Sequence, residues 1–169
     1  MPERNLAWTR WLVASALVFA ADLATKSWVV SAFRPGESLE VTPFFSLILT
    51  YNPGAAFSFL ADAGGWQRWL FTALTIAISI AIVVALRRHP GERLMALSLA
   101  LVLGGALGNL WDRLRIGRVV DFVLLHLGEH TFPAFNVADS AISVGVALLL
   151  VDSLASGARA RASARPRET

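Results

Sequence analysis

The fold of this chain is decided by the uncharged stretch LMALSLALVLGGALGNLW, residues 94–111. As a helix, a stretch of this length would span roughly 27 Å, close to the ~30 Å hydrocarbon thickness of a bilayer. A second uncharged stretch covers residues 69–86. Only 16% of the chain is charged and 56% is apolar, whereas about 25% of the residues in a typical soluble domain are charged. The chain is therefore predicted to be an integral membrane protein.

Hydropathy predicts four transmembrane helices, at about residues 11–33, 66–86, 94–111 and 137–154. The first could be read as a cleaved signal peptide. Its apolar character resumes after Lys26, however, which makes the run too long, and we interpret it as a retained span. The expected fold class is an all-α membrane protein, a four-helix bundle within a single domain of residues 1–156. The basic tail, residues 157–169, lacks apolar periodicity and is expected to be disordered and to lie near anionic lipid.

The distribution of arginine predicts the orientation of these helices. Nine arginines fall on one side of the predicted bundle, in the N-terminus, the tight second connection and the tail: Arg4, Arg10, Arg87, Arg88, Arg93, Arg159, Arg161, Arg165 and Arg167. The positive-inside rule then predicts that both termini are cytoplasmic and that segments 34–65 and 112–135 are extracytoplasmic. Because the basic residues are dispersed at span ends, the net charge of +3 does not indicate nucleic-acid binding.

The first extracytoplasmic segment has its own predicted structure. Residues 37–51 are rich in β-branched and aromatic residues and lie between two Pro-Gly pairs, which favours a small β-sheet. Residues 57–69 include Trp66 and Trp69, whose indole rings favour a membrane interface. This part is expected to form an interfacial helix, or else an ordered loop that caps the bundle.

Ionisable residues within a span cost roughly 2.5–3.5 kcal/mol at the helix centre, so each is a functional candidate. Asp22 and Lys26 are four residues apart and can pair on one helix face. We interpret them as a structural pair, with catalysis by Lys26 as the alternative. At the end of the third span, Asp112 stands next to Arg113, and we assign this pair a structural role too. Asn109 would share their face if the helix continues.

Two further aspartates lie near the predicted outer face. Asp121 is in an apolar run without an adjacent cation, which should raise its pKa. Asn136 can serve as the N-cap of the fourth span, and Asp139 is then the third helical residue. On this pattern a structural cap and a catalytic acid are equally favoured for Asp139. Since the third and fourth spans are consecutive, the two aspartates are expected to be neighbours.

Two carboxyl groups in a site of low dielectric constant share a proton, and one can then activate a water while the other acts as general acid. This is the chemistry of an aspartic protease. The helix dipole favours Asp139 as the ionised partner and leaves the proton on Asp121.

Other chemistries are disfavoured by the sequence. Without cysteine, thiolate catalysis and Cys-bound zinc are excluded. The three histidines lack a zinc-binding spacing, so no metal or other cofactor is expected. A small proton-coupled transporter is the main rival, but it would need ionisable groups near mid-bilayer, and the second and third spans have none in their interiors. A noncatalytic membrane assembly protein is the other rival.

Five blocks resemble, in order, the motifs of the lipoprotein signal peptidase family, the type II signal peptidases of bacteria. They are Asp22–Lys26, Tyr51–Phe57, Gly108–Arg113, Val119–Phe122 and Phe135–Asp139. Each block alone is weak evidence, whereas five in order over nearly the whole chain are specific.

The resemblance implies an endopeptidase of the bacterial inner membrane that acts on diacylglyceryl-modified prolipoproteins and cuts just before the lipidated cysteine. The chain is expected to act as a monomer. It implies that Asp121 and Asp139 form the catalytic dyad and that a small sheet with an adjoining helix covers the site. Residues that the family uses for substrate contacts or for orienting the acids match Asn52, Asn109, Arg113 and Asn136, and a supporting role is kept for Asp22 and Lys26. Membrane lipid is a further expected partner, because Arg113, Arg115 or Arg118 could meet head-group phosphate. For Arg115 and Arg118, simple interfacial anchoring is equally favoured.

Overall fold

The computed structural model describes residues 7–54, 65–89, 91–128 and 130–163. Within them the chain forms four long helices: α1 (Thr9–Ala32), α2 (Trp66–Arg88), α3 (Arg93–Ile116) and α4 (Val137–Ser163). All four contain stretches that are long and apolar enough to cross a membrane, which in α4 covers Val137–Ser156. The four predicted spans are confirmed, and the helices extend up to several residues beyond the predicted ends.

The central helix of the bundle is α3. In its most apolar window 56% of the residues are buried, against 22%, 17% and 11% for α1, α2 and α4. It packs against each of the other three helices. The outward faces of α1, α2 and α4 remain apolar and exposed, as expected for helices whose other surface meets lipid.

Glycines allow α3 to approach its neighbours closely. A Cβ atom at Gly104 would lie 2.6 Å from the backbone oxygen of Ser15 on α1. A Cβ atom at Gly105 would collide with the backbone oxygen of Ala138 on α4. On α4, a Cβ atom at Gly145 would lie 2.7 Å from the backbone oxygen of Ser98. These contacts follow the rule that small residues bring transmembrane helices together.

A four-stranded antiparallel sheet covers one end of the bundle. Its strands are β1 (Ser38–Thr42), β2 (Phe45–Asn52), β3 (Val119–Leu127) and β4 (His130–Thr131), in the order β1-β2-β3-β4. The hairpin of β1 and β2 matches the sheet predicted for residues 37–51. The longest strand, β3, follows α3 directly and lies outside the predicted segment, so the sheet is larger than the small sheet expected beside the helices.

An apolar cluster joins the sheet to the bundle. Val29 of α1 and Leu49 of β2 are almost fully buried, together with Val120 and Phe122 of β3. Because the cluster includes residues on both sides of Asp121, it fixes β3 against the end of α1.

Residues 157–163 were expected to be disordered, but they continue α4 as far as Ser163. The reason is composition, since alanine and arginine are strong helix formers. The predicted interfacial helix falls mostly on residues 55–64, which lie outside the described residues. Trp66 and Trp69 belong to the first turn of α2 and are exposed.

Candidate active site

Asp121 lies in the middle of the site, on β3 opposite Thr50 of β2. Its side chain is only 2% exposed. One carboxylate oxygen accepts a hydrogen bond from the side-chain amide of Asn52 at 3.1 Å, and the other accepts one from the side-chain amide of Asn136 at 2.7 Å. The buried carboxyl group is therefore held from both sides by uncharged donors.

Asp139 lies in the first turn of α4, where it forms a reciprocal cap with Asn136. The backbone N–H of Asp139 donates to the side-chain oxygen of Asn136 at 2.9 Å, and the backbone N–H of Asn136 donates to the Asp139 carboxylate at 3.2 Å. The predicted N-cap is confirmed by these bonds. The other carboxylate oxygen of Asp139 accepts from the side-chain amide of Asn109 at 2.7 Å, so Asp139 caps the helix and also enters the buried network.

Asn136 joins the two aspartates. It is fully buried, and its side-chain amide also contacts the side-chain oxygen of Asn109 and the backbone oxygen of Val120, both at 3.1 Å. One asparagine thus binds Asp121 through its side chain and Asp139 through both its backbone and its side chain. The structure brings the two acids, Asn109 and Asn136 into one hydrogen-bonded cluster.

The environment of Asp121 favours its protonated form. Burial is the main cause, and the negative charge of Asp139 adds to it. The hydrogen bonds from Asn52 and Asn136 act in the opposite direction but are outweighed. Together these effects raise the pKa of Asp121 to about 7.

A second buried cluster centres on Lys26, which is 3% exposed. Its ammonium group lies 2.7 Å from the Asp22 carboxylate, 2.9 Å from that of Asp112 and 3.0 Å from the side-chain oxygen of Asn109. The three donors of the ammonium group match these three acceptors. The pairing of Asp22 with Lys26 agrees with their spacing. The pair is also buried, and Asp112 joins it as a third charged group.

Both aspartates of this second cluster also accept backbone hydrogen bonds. Asp22 accepts from the backbone N–H of Ala138 at 2.9 Å, and Asp112 accepts from that of Val120 at 3.1 Å. Asp22 therefore holds the first turn of α4, which carries Asp139, and Asp112 holds the residue next to Asp121. No sequence pattern indicated these contacts.

The expected pairing of Asp112 with Arg113 is wrong. Asp112 pairs with Lys26, whereas the guanidinium group of Arg113 lies 5.5 Å from the ring centre of Phe71 on α2. Consecutive residues on a helix point about 100° apart, so these two side chains face different neighbours. Arg113 interacts electrostatically with the candidate acids Asp139 and Asp121, and less strongly with Asp112.

Among the described residues, no group of three or more His, Cys, Asp or Glu side chains is arranged to hold a metal ion. One histidine, His126, takes part in a hydrogen bond of 2.8 Å with Ser46 between β2 and β3. This contact lies on the sheet and involves neither candidate acid.

A comparison with known protein families matches the part of the chain that contains both buried clusters. Residues 14–155, which include every residue of both buried clusters, match the family model described as signal peptidase (SPase) II. This chain belongs to the signal peptidase II family. It is therefore a membrane peptidase of lipoprotein processing.

Curated relatives in this family are similar over most of their length. The lipoprotein signal peptidase of Burkholderia thailandensis is 55% identical over 144 residues, which cover 85% of this chain and 87% of that protein. The lipoprotein signal peptidase of Cupriavidus taiwanensis is 53% identical, and the match covers 85% of this chain and 82% of that protein.

Two solved structures, both described as bacterial membrane enzymes, share the fold. One has a TM-score of 0.79 at 30% identity and covers 95% of this chain and 94% of that chain. The other has a TM-score of 0.76 at 32% identity and covers 86% of this chain and 93% of that chain.

Proposed function

We propose that this signal peptidase II family member is an aspartic endopeptidase, in which Asp121 and Asp139 activate a water to remove the signal peptide of a diacylglyceryl-modified prolipoprotein. The observation that carries the proposal is the shared contact with Asn136, which binds both carboxyl groups. Two acids linked through one buried asparagine are arranged to work on one water.

The proposed division of labour follows from the surroundings of each acid. Asp139 accepts hydrogen bonds at both oxygens and lies at a helix N-terminus, where the dipole favours a negative charge. It is the general base. Burial raises the pKa of Asp121 to about 7, so a large fraction of this group holds a proton at neutral pH, and it is the general acid.

The reaction then proceeds in two stages. The water oxygen attacks the scissile carbonyl carbon, Asp139 takes a proton from the water, and Asp121 gives its proton to the carbonyl oxygen. In the tetrahedral intermediate that results, the C–N bond breaks, and the proton held by Asp139 passes to the leaving amine. The products are a carboxylic acid and an amine, and each aspartate returns to its starting state once Asp121 regains the proton of the hydroxyl group.

The neighbouring residues have supporting roles in this proposal. Asn52 and Asn136 orient Asp121, and Asn109 orients Asp139. The positive charge of Arg113 interacts with both acids and offsets negative charge during the reaction. Asp22 and Asp112 hold the backbone next to Asp139 and Asp121 respectively. Lys26 pairs with both of these supporting carboxylates.

We also propose the position of the site and of the cut. Arg87, Arg88 and Arg93 flank the short α2–α3 connection, which supports a cytoplasmic location for this connection and for both termini. The sheet and both acids are then near the extracytoplasmic face, where the cleavage site of a lipid-anchored precursor would be. The chain works as a monomer and cuts just before the lipidated cysteine.

The experiment that tests the function is cleavage of a synthetic diacylglyceryl-modified prolipoprotein peptide by the purified protein, with mass analysis of the products. Asp121→Asn and Asp139→Asn should each reduce kcat at least about a hundredfold, the usual weight of general acid–base catalysis. Asp152→Asn, near the other end of the transmembrane part of α4, is the matched control. A product that persists in either dyad variant at the wild-type rate would disprove the mechanism, and a product cut elsewhere would disprove the proposed position.

The absence of cysteine from the sequence makes the orientation directly testable. Single cysteines at Glu37 and at Gly91, both exposed, can be labelled in intact cells with a maleimide that does not cross the inner membrane. Glu37→Cys should react and Gly91→Cys should not. The reverse pattern would overturn the orientation and leave the chemistry untouched.

A further inference from the structure

A groove between α1 and α3, also lined by Tyr51 of β2 and Val120 of β3, adjoins the second buried cluster. Its volume is about 450 Å³, within the range of about 300–1,000 Å³ usual for small-molecule sites. Neither Asp121 nor Asp139 lines it. Lys26 and Asp112, which belong to the second buried cluster, are among its lining residues.

The groove has an apolar part and a basic part. Leu23 and Val30 of α1 and Ile116 of α3 supply apolar surface, whereas Arg115 and Arg118 supply two guanidinium groups. A ligand that fits both parts has an anionic head and a hydrocarbon body.

The positive charge available to a ligand comes from the two arginines. The ammonium group of Lys26 is already paired with two carboxylates, those of Asp22 and Asp112. By contrast, in the part of the chain that the structure describes, neither Arg115 nor Arg118 forms an ion pair, and both side chains are exposed. Arginine binds phosphate oxygens through its planar fork of donors.

The location of the groove fits a lipid rather than a soluble anion. Trp111, 43% exposed, lines the groove at the same end of α3 as the sheet, and the guanidinium group of Arg115 lies 6.0 Å from its ring centre. Tryptophan and arginine near the end of a transmembrane helix are typical of the headgroup region. If an anionic head group is bound at this position, the hydrocarbon part of the same molecule lies beside the hydrocarbon phase of the membrane.

We propose that this groove is a binding site for an anionic phospholipid, whose phosphate is bound by Arg115 and Arg118 and whose acyl chain packs against the apolar wall. The diacylglyceryl group of a prolipoprotein carries no charge, so its ester oxygens could accept hydrogen bonds from the two arginines but could form no ion pair with them. The occupant is therefore a lipid of the surrounding membrane and not the substrate.

Fluorescence quenching of Trp111 measures occupancy directly. The full-length protein is reconstituted in vesicles of phosphatidylcholine that contain a small fraction of phosphatidylglycerol brominated on its acyl chains. The same measurement on Trp111→Phe is subtracted to remove the signal of the other tryptophans. Brominated phosphatidylglycerol should quench Trp111 more strongly than the same fraction of brominated phosphatidylcholine or brominated diacylglycerol.

The double variant Arg115→Gln/Arg118→Gln should lower the apparent affinity for phosphatidylglycerol at least about tenfold, because each arginine provides a charge-assisted hydrogen bond. Arg34→Gln/Arg88→Gln removes the same amount of charge from exposed positions outside the groove and should leave the affinity for phosphatidylglycerol unchanged. An equal loss in both double variants, or none in the first, would overturn the proposal.

Two further outcomes decide the nature of the ligand. Inorganic phosphate should fail to compete with the brominated lipid, and full competition would mean that the groove takes a free anion. Equal quenching by brominated diacylglycerol would mean that it takes an uncharged lipid. Since the readout is binding, each result stands whether or not the proposed cleavage mechanism holds.

Discussion

The carboxylate of Asp22 accepts a hydrogen bond of 2.9 Å from the backbone N–H of Ala138, a residue 116 positions further along the chain. Ala138 lies in the first turn of α4, immediately before Asp139. A buried acid of α1 thus supplies an acceptor for one of the backbone N–H groups that a helix leaves unsatisfied at its start.

Asp22 variants should separate its hydrogen bond from its charge. Asp22→Ala removes the acceptor and leaves the Ala138 N–H buried without a partner, which should lower the free energy of unfolding by about 1–3 kcal/mol. Asp22→Asn keeps an acceptor oxygen, and Lys26 still pairs with Asp112, so this variant should lose less stability. Thermal unfolding in detergent measures the stability of both variants. Equal losses would mean that the charge of Asp22 contributes more to stability than its hydrogen bond.

Asn136 variants should separate helix capping from the alignment of the acids. Asn136→Ser retains a good N-cap oxygen but removes the amide that donates to Asp121 and to the backbone oxygen of Val120. It should lose most of the activity and about 1–3 kcal/mol of stability, because buried acceptors are left unpaired. Asn136→Ala removes both functions and should also cost about 1 kcal/mol as a lost cap. If kcat of Asn136→Ser equals that of the wild type, the contact with Asp121 has no role in the reaction.

Stability should depend on pH through Asp121. Its pKa in the folded protein, about 7, lies above the ordinary value of 3.8, so the folded state binds this proton more tightly than the unfolded chain does. The resulting stabilisation is complete below about pH 3.8 and is lost as the pH rises through about 7. Between these values the unfolding temperature of the wild type should fall relative to that of Asp121→Asn.

The same titration should appear in the activity. If Asp121 must donate a proton, kcat should fall as the pH rises through about 7. Asp152→Asn should reproduce the wild-type profile in both experiments. A difference in unfolding temperature between the wild type and Asp121→Asn that stays constant with pH would contradict the raised pKa.

Gly145 tests the close packing of α3 against α4. Its added Cβ atom would lie 2.7 Å from the backbone oxygen of Ser98, so Gly145→Ala must push the helices apart and should destabilise the bundle by about 1–3 kcal/mol. Gly91→Ala, where nothing lies within 4 Å of the added atom, is the control. Equal unfolding temperatures for both variants would show that the helices can separate without loss.

The spans and the cap could be predicted because both signals are local. Residues 94–111 are apolar and uncharged over the length of a bilayer, and Asn136 precedes Asp139 at the spacing of a capping pair. The resemblance to the family predicted a role at the site for two asparagines that lie outside the capping pair, Asn52 and Asn109. In the structure Asn52 contacts Asp121 and Asn109 contacts Asp139.

The missed features depend on tertiary structure. The run of β3, VVDFVLLHL, is almost wholly apolar, and periodicity alone cannot distinguish a buried strand from the end of a helix in such a run. Asp112 was paired with its neighbour in sequence, whereas the actual partner, Lys26, is on another helix. Only the approach of α1 to α3, allowed by Gly104 and Gly108, brings these charges together.

Lys26 is the only lysine in the sequence, and its amine is enclosed by three oxygen atoms in the bundle. Reagents that acylate amines should therefore spare Lys26 in the native protein and label it only when the bundle opens. Mass spectrometry after brief acylation would then count opened molecules directly, with no engineered probe and without the substrate.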